Sequence, residues 1–385
     1  MEFNSDIQEL ARRFDRFGFP LYAVGGCVRD KYLNVEPDDI DLATSANTEQ
    51  MEEILAGLKM DFQGKSFGVM HVSMEHDVYQ IATFRKDISV GRRPEVELGV
   101  SLEVDAFRRD FTCNALYYDL ANKKFVDPTG GIKDIEQKIL RTPGPVNISF
   151  GDDPLRKIRA FRFASSLGFS FDKELAEYLK NDNSITQLNK EGWLERVSQE
   201  RVHGEFTKAL KKSKSVVQFL RLCSEYDMLN VMFPNTIKTA TFVESRSVEV
   251  VMSFLIGKLD ININREAETH LIETLKFSED QACGAMFLSR LWNLTSDNVK
   301  IFHRAIKSTS LTHDDIMWFA RISQAITDHG VDPFKVEAFL SFTPTLATEL
   351  LNNGWKEGKK LGEELNRLDA EKFNIAVQKY ERNER

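Results

Sequence analysis

Two hydrophobic patterns divide the chain. From residue 20 to about residue 140, short apolar runs alternate with polar turns and short helical stretches. The runs "LYAV" (21–24), "IDLA" (40–43), "GVMHVSM" (68–74) and "VYQIATF" (78–84) predict strands, because β-branched and aromatic residues fit a pleated, half-buried surface. Only "EHD" separates the last two, which predicts a hairpin, and "ALYYDL" with "KKFVD" predicts another. From about residue 150 the β pattern fades. "DPLRKIRAFRFASSLG", "ELAEYLKND", "QERVHGEFTKALKK", "VVQFLRLCSEY", "VEVVMSFLIGKL" and "VKIFHRAIKS" carry apolar residues at helical spacing. At the N-terminus, "MEFNSDIQELARRFDRFGF" predicts an amphipathic helix. The pattern therefore predicts an α/β head followed by a long helical remainder.

Composition narrows the class. A chain of 385 residues exceeds one ordinary core, so two or more domains are expected. No stretch is long and apolar enough to span a bilayer, and the N-terminus lacks a signal-peptide pattern. Cys27, Cys113, Cys223 and Cys283 have no CxxC spacing, which argues against a zinc knuckle or a disulfide framework and fits a cytoplasmic protein. The net charge of −8 speaks weakly against nucleic-acid binding. Acids that hold metal, or that sit on solvated helices, enter that total without facing a ligand. No internal repeat or low-complexity linker is present.

The chemistry concentrates in "LYAVGGCVRDKYLNVEPDDIDLATSA". After a strand, Gly25 and Gly26 allow a sharp turn and close approach of a ligand. The amides that follow can face phosphate oxygens, and Arg29 can add a charge-assisted contact. An ordinary strand–helix turn would look the same. Asp39 and Asp41 change the balance: on a strand, residues two apart share a face, while Asp38 points the other way. Paired carboxylates repel each other unless a cation lies between them, and hard oxygen ligands suit Mg²⁺. A solvated "PDD" turn is the bland alternative. The stretch is read as holding a nucleoside triphosphate on Mg²⁺.

Four motifs in order extend this reading: "GGCVRD…DDIDLAT", "AFRRDFTCNALYYD", "DPTGGIKDIEQKILRTPG" and "DDPLRKIRAFRFASSLGF". Together they resemble the class II tRNA nucleotidyltransferases, the CCA-adding enzymes and their bacterial poly(A) polymerase relatives, strongly over residues 20–210 and faintly beyond. The resemblance implies an α+β fold: a nucleotidyltransferase-type α/β head with a small mixed sheet, then all-α neck, body and tail. The boundaries expected are 1–140 for the head, 141–212 for the neck, 213–300 for the body and 301–385 for a tRNA-binding tail. It implies template-independent addition of CCA to tRNA 3′ ends from CTP and ATP, with pyrophosphate released.

By residue, the resemblance assigns Asp39 and Asp41 to catalysis and metal, and Gly25, Gly26, Arg29 and Arg109 to the nucleotide. It assigns Asp153 and Arg156 to reading the base, with Arg159 and Arg162 further along, toward the phosphates. The physics agrees for the base. A carboxylate accepts from the exocyclic amine of cytosine or adenine and is repelled by the carbonyl of uracil or guanine. The spacing of Asp153, Arg156, Arg159 and Arg162 predicts a stripe along one helix, and Leu155, Ile158, Phe161 and Phe163 predict that it lines a cleft. Asp127 to Asp134 read as a hinge, and Glu200, Arg201 and Glu205 as a brace for the neck.

Departures are visible. Gln80 stands where many relatives carry Glu, Asp152 where they carry Glu, and the "KDISVG" loop (86–91) is short for a family in which it is tied to the switch from C to A. "LTHDD" reads as helix capping, and "NNGWKEGKK" as a turn whose lysines could meet RNA phosphate. A CC-adding enzyme and a poly(A) polymerase remain alternatives. An RNA-binding scaffold without activity and a small-molecule nucleotidyltransferase are others. Partners expected are tRNA, through its 3′ end and acceptor/T-arm region, with CTP and ATP. No membrane is expected, and the oligomeric state stays open.

Overall fold

The N-terminal helix forms as its pattern predicts. In the computed structural model, α1 (Ser5–Arg16) buries Ile7, Leu10, Ala11 and Phe14, one stripe of a 3.6-residue period. Asn4 caps it, accepting from the Ile7 amide at 3.1 Å, and donates to the Tyr79 hydroxyl at 2.7 Å. The structure describes residues 1–61, 67–88, 95–181, 197–233, 241–257, 265–326 and 330–383. The later part of the "KDISVG" loop falls outside these residues.

The chain divides into two units, 1–205 and 206–385. In the first, the elements run β1 (Leu21–Val24), α2 (Gly26–Tyr32), β2 (Asp41–Thr44), α3 (Thr48–Ile54), β3 (Lys59–Asp61), β4 (Val69–Ser73) and β5 (Val78–Thr83). There follow β6 (Arg85–Asp87), β7 (Val96–Leu98), α4 (Leu102–Phe107), β8 (Tyr117–Asp119), β9 (Lys124–Val126), α5 (Gly131–Gln137) and β10 (Ile139–Leu140). Then come α6 (Val146–Asp152), α7 (Arg156–Phe163), β11 (Ser170–Phe171) and α8 (Lys173–Asn181). Among the described residues, seven strands form one mixed sheet in the order β3-β4-β5-β2-β1-β8-β9. Only β2 and β5 pair in parallel within it.

Both expected hairpins form, β4–β5 and β8–β9. Among the described residues, five short strands escaped the hydrophobic pattern: β3, β6 and β7, of three residues each, and β10 and β11, of two. Their sequences, two or three residues long, are too short for a period of two to be read. On one sheet face Val24, Ala43 and Tyr117 form a core with Phe84, Ala106 and Ala115. Gly131 opens α5 against the Thr112 carbonyl oxygen, which a Cβ would meet at 2.2 Å. The expected hinge segment is thus docked closely on the segment between α4 and β8. The two-residue parallel pair β10–β11 closes around α6 and α7.

Asp6 ties α1 to the β4–β5 turn. It accepts from the His76 amide at 2.8 Å and pairs with His76 Nδ1 at 2.9 Å. Glu75 lies beside them, so the three could offer ligand atoms to a cation, but the Asp6–His76 pair already satisfies itself. The pair raises the His76 pKa above its ordinary value through the Asp6 hydrogen bond and charge. A raised folded-state value means stability that is present below the unfolded pKa near 6.5 and lost as pH rises through the folded value. The melting-temperature gap between wild type and His76→Ala should therefore be widest in mildly acidic buffer and shrink as pH rises past neutrality. A pH-independent gap in thermal melts would exclude the ion pair.

The second unit is all helix among its described residues. Helix Lys359–Asn383 follows a turn with Gly354 and Gly358 at positive φ, as the "NNGWKEGKK" pattern predicts. Asp369 pins this helix, accepting from the Thr345 amide at 2.7 Å and pairing with Lys300 at 2.7 Å. Thr312 caps helix His313–Ile326 by accepting from the Asp315 amide at 3.2 Å, as "LTHDD" predicts.

Candidate active site

The site is built where β1 ends. Gly25 has φ +81°, a conformation an L side chain rarely adopts, and its amide donates to the Leu116 carbonyl at 2.9 Å. It starts α2, so strand and helix meet in one sharp turn. Arg109 Nη1 lies 3.4 Å from where a Cβ on Gly25 would stand. That is ordinary van der Waals distance, so the positive φ, more than the space, calls for glycine here.

Asp41 opens β2, and Asp39 precedes the strand. The expectation that both sit on the strand is corrected for Asp39: β2 begins at Asp41, which pairs with Gln80 of β5, and Asp39 lies two residues before it. The two acids still sense each other. Burial and the Asp39 charge raise the Asp41 pKa, and Arg109 works against them. Both side chains keep solvent-exposed surface, although protein atoms lie close enough to the Asp41 carboxylate to desolvate it in part. Gln80 stands directly opposite Asp41 in the parallel β2–β5 register. The departure noted in the sequence therefore places a neutral amide beside the acid pair.

Arg29 is 7% exposed and engaged within the fold. It pairs with Asp30 at 2.7 Å and donates to Asn114 Oδ1. Its donors brace the glycine turn against the "RRDFTCN" segment, so reaching a triphosphate would require exchanging one of these partners. Arg109 is held differently. Its Nη2 donates to Asp105 at 3.0 Å and its Nε to the Tyr117 hydroxyl at 3.1 Å. Burial opposes the charge of Asp105, yet Arg109 and Arg108 hold its carboxyl at about 2. Asp105 gave no signal in the sequence beyond being an acid in a helix; its spacing of three and four from Arg108 and Arg109 was the clue available.

The stripe expected on one helix is split. Asp153 follows α6 in extended backbone, with φ −139° and ψ 98°, and α7 begins only at Arg156. Pro154 stands between them rather than at the first helical position, because it cannot donate to continue α6. Asp153 accepts from the Leu155 amide at 3.1 Å and from Arg201 at 2.7 Å. Arg156 donates to Ser149 Oγ at 2.7 Å and to the Arg108 backbone carbonyl. Through that carbonyl the base-reading candidate touches the segment that carries Arg109.

Arg159 and Arg162, expected toward the phosphates, are engaged by acids of the fold. Arg159 bridges Asp110 at 2.5 Å and Glu205 at 3.0 Å, and Arg162 pairs with Glu205 at 2.6 Å. Burial opposes the Asp110 charge, but Arg159 and the Asn114 amide keep its carboxyl well below the ordinary range. These arginines brace α7 between two buried acids. The apolar residues around them, Ile158 and Phe161, are fully buried, as the pattern predicts.

A glycine turn into a helix, an acid pair at the start of the next strand, and a fixed arginine between them define a nucleotidyltransferase-type head. Residues 21–141 match the family described as the Poly A polymerase head domain. A CCA-adding enzyme of Bacillus subtilis is 37% identical over 233 residues, 58% of this chain and 56% of its own length. A CCA-adding enzyme of Bacillus pumilus is 30% identical over 334 residues, 83% of this chain and 80% of its own. Poly(A) polymerase I of Escherichia coli is 29% identical over 267 residues, 66% of this chain and 55% of its own. The match thus spans little more than half the length of the Bacillus subtilis and Escherichia coli relatives and four fifths of the Bacillus pumilus one. The crystal structure of the Bacillus stearothermophilus CCA-adding enzyme in complex with CTP shares the fold, with a TM-score of 0.69 and 22% identity, covering 98% of this chain and 97% of that one. The chain belongs to the family of CCA-adding enzymes and bacterial poly(A) polymerases.

Proposed function

We propose that this protein adds CCA to tRNA 3′ ends without a nucleic-acid template, using CTP and ATP. The RNA 3′-hydroxyl attacks the α-phosphorus and pyrophosphate leaves. The observation that carries the reading is the convergence of Gly25, Asp41 and Arg109. A glycine turn at positive φ, a carboxylate whose pKa desolvation and Asp39 raise, and a fixed guanidinium meet at the C-terminal end of β1.

The donor set fits a hard divalent cation. Asp39 and Asp41 offer oxygens whose mutual repulsion a cation would relieve, and these two residues would hold Mg²⁺. When bound, the ion lowers the cost of charge on the attacking and leaving oxygens. Arg109 presents its Nη1 toward the glycine turn, where phosphate or sugar oxygens can accept. Asp153 and Arg156 read the base edge after exchanging their present partners.

The four-part division into head, neck, body and tail belongs to this reading. So do a tRNA-binding tail and a cytoplasmic location. Among the described residues, no helix is long and apolar enough to cross a membrane. A poly(A) polymerase is the second reading, supported by the match to the Escherichia coli enzyme.

Incubation with tRNA ending before CCA, offered CTP and ATP separately and together, separates the readings by product length. The expected result is addition of C, C and A in that order, followed by arrest. A long A ladder would identify a poly(A) polymerase. A stop after two C residues with ATP present would identify a CC-adding enzyme.

A further inference from the structure

A buried carboxylate that none of the proposed chemical steps uses lies beside the site. Asp105 is 1% exposed on α4. Its Oδ1 accepts from Arg108 Nε at 2.9 Å and from the Arg85 backbone amide at 3.1 Å. Its Oδ2 accepts from the Tyr117 hydroxyl at 2.6 Å and from Arg109 Nη2 at 3.0 Å. Tyr117 in turn accepts from Arg109 Nε and lies under its guanidinium, 5.2 Å from Cζ to the ring centroid.

These contacts use one edge of Arg109 and leave Nη1 directed at Gly25. They also fix the neighbouring residue. Arg108 is held by its side chain to Asp105, while its carbonyl accepts from Arg156. The Arg85 amide belongs to the first residue of β6, so the β6–β7 hairpin ends on the same carboxylate. Three parts of the site therefore meet at Asp105: the nucleotide arginine, the base-reading arginine by way of Arg108, and the hairpin.

We propose that Asp105 is the positioning residue of this site, fixing Arg109 for the nucleotide and, through Arg108, setting where Arg156 meets the base. The inference rests on the nucleotidyltransferase reading above. An arginine side chain has several rotatable bonds, and the freedom it loses on binding a ligand opposes affinity. Locking Nε and Nη2 beforehand removes that opposition and aims the remaining donor. A carboxylate is the group that does this, because it accepts from the guanidinium edge with charge assistance. An amide in its place presents one oxygen and an NH₂ that faces the arginines as a second donor.

The test uses the full-length protein and measures CTP and ATP binding by calorimetry, then steady-state incorporation of all four nucleotides into tRNA ending before CCA. Asp105→Asn keeps the shape and removes the charge. The expected result is a rise of about tenfold or more in Kd and KM for CTP and ATP. KM for tRNA should be unchanged, and rejection of UTP and GTP should weaken. A purely structural role would lower the melting temperature and the fraction active without changing nucleotide KM or selectivity. Should Asp105→Asn not fold, Tyr117→Phe decides. It keeps the ring and removes one hydrogen bond to Asp105, and a severalfold rise in nucleotide KM with tRNA KM unchanged is expected. Wild-type nucleotide KM and selectivity in a folded Asp105→Asn, or failing that in Tyr117→Phe, would overturn the proposal. Wild-type protein that binds neither CTP nor ATP would overturn the nucleotide-site reading, and this inference with it.

Discussion

Asp41→Asn, and separately Asp39→Asn, should abolish nucleotide transfer while leaving a folded protein that binds tRNA. The acids stand at the start of β2 facing solvent, with no role in the apolar core. Their cost to the fold has the opposite sign from their value to the reaction. Burial and Asp39 raise the Asp41 pKa, so the ionised carboxyl is less favourable in the folded protein than in the unfolded chain. Removing either charge should leave the melting temperature equal to or above that of wild type at neutral pH. The reaction should lose several kcal/mol of transition-state stabilisation, on the order of a thousandfold in rate. A second measurement links the loss to the ion. Millimolar Mg²⁺ should raise the melting temperature of wild type and leave that of the Asn variants unmoved. Near-normal turnover in the double Asn variant would show that the reaction is assembled elsewhere.

The legibility of the chain followed the range of the forces involved. Local pattern was enough for β4 and β5, whose buried and exposed positions alternate, and for β1, β2, β8 and β9, whose β-branched and aromatic content marks them without a clean alternation. The same holds for Gly25, where the turn demands a positive φ and the sequence supplies the residue that adopts it. Asp153 was misplaced because the spacing of three between charges is blind to what lies between them, and Pro154 ends one helix before the next begins. The resemblance places Arg159 and Arg162 toward the phosphates, while the spacing itself shows only a shared helix face. Their partners Asp110 and Glu205 are distant in the chain, and long-range ion pairs leave no periodic trace. Asp105 went unread for the related reason that its partner Tyr117 comes from a different element.

Asp153→Ala should relax the choice of base. In the structure both members of the base-reading pair are occupied by protein. Arg201 holds Asp153 Oδ2 at 2.7 Å, while Ser149 and the Arg108 carbonyl hold Arg156. The Arg156 backbone amide donates to the Asp153 carbonyl at 3.0 Å, but their side chains are held by these other partners, so reading a base means trading those side-chain contacts for the nucleotide's amine and ring nitrogen. The exchange makes the selectivity a difference between two sets of hydrogen bonds. A base with an amine at the matching position replaces what Asp153 gives up; a carbonyl there leaves the carboxylate facing another acceptor. Removing the carboxylate removes both the reward and the repulsion. CTP and ATP incorporation should fall, and UTP and GTP should become competitive, a loss of about 1–3 kcal/mol of discrimination. Arg156→Lys tests the other half: it keeps the charge but loses the planar fork, and selectivity should fall while the charge near Asp110 is preserved. The measurement is the relative incorporation of the four nucleotides, each offered alone, into tRNA ending before CCA. If both variants keep the wild-type order of preference, the base is read by other residues, and the contacts of Asp153 and Arg156 seen here serve only to close α6 onto α7.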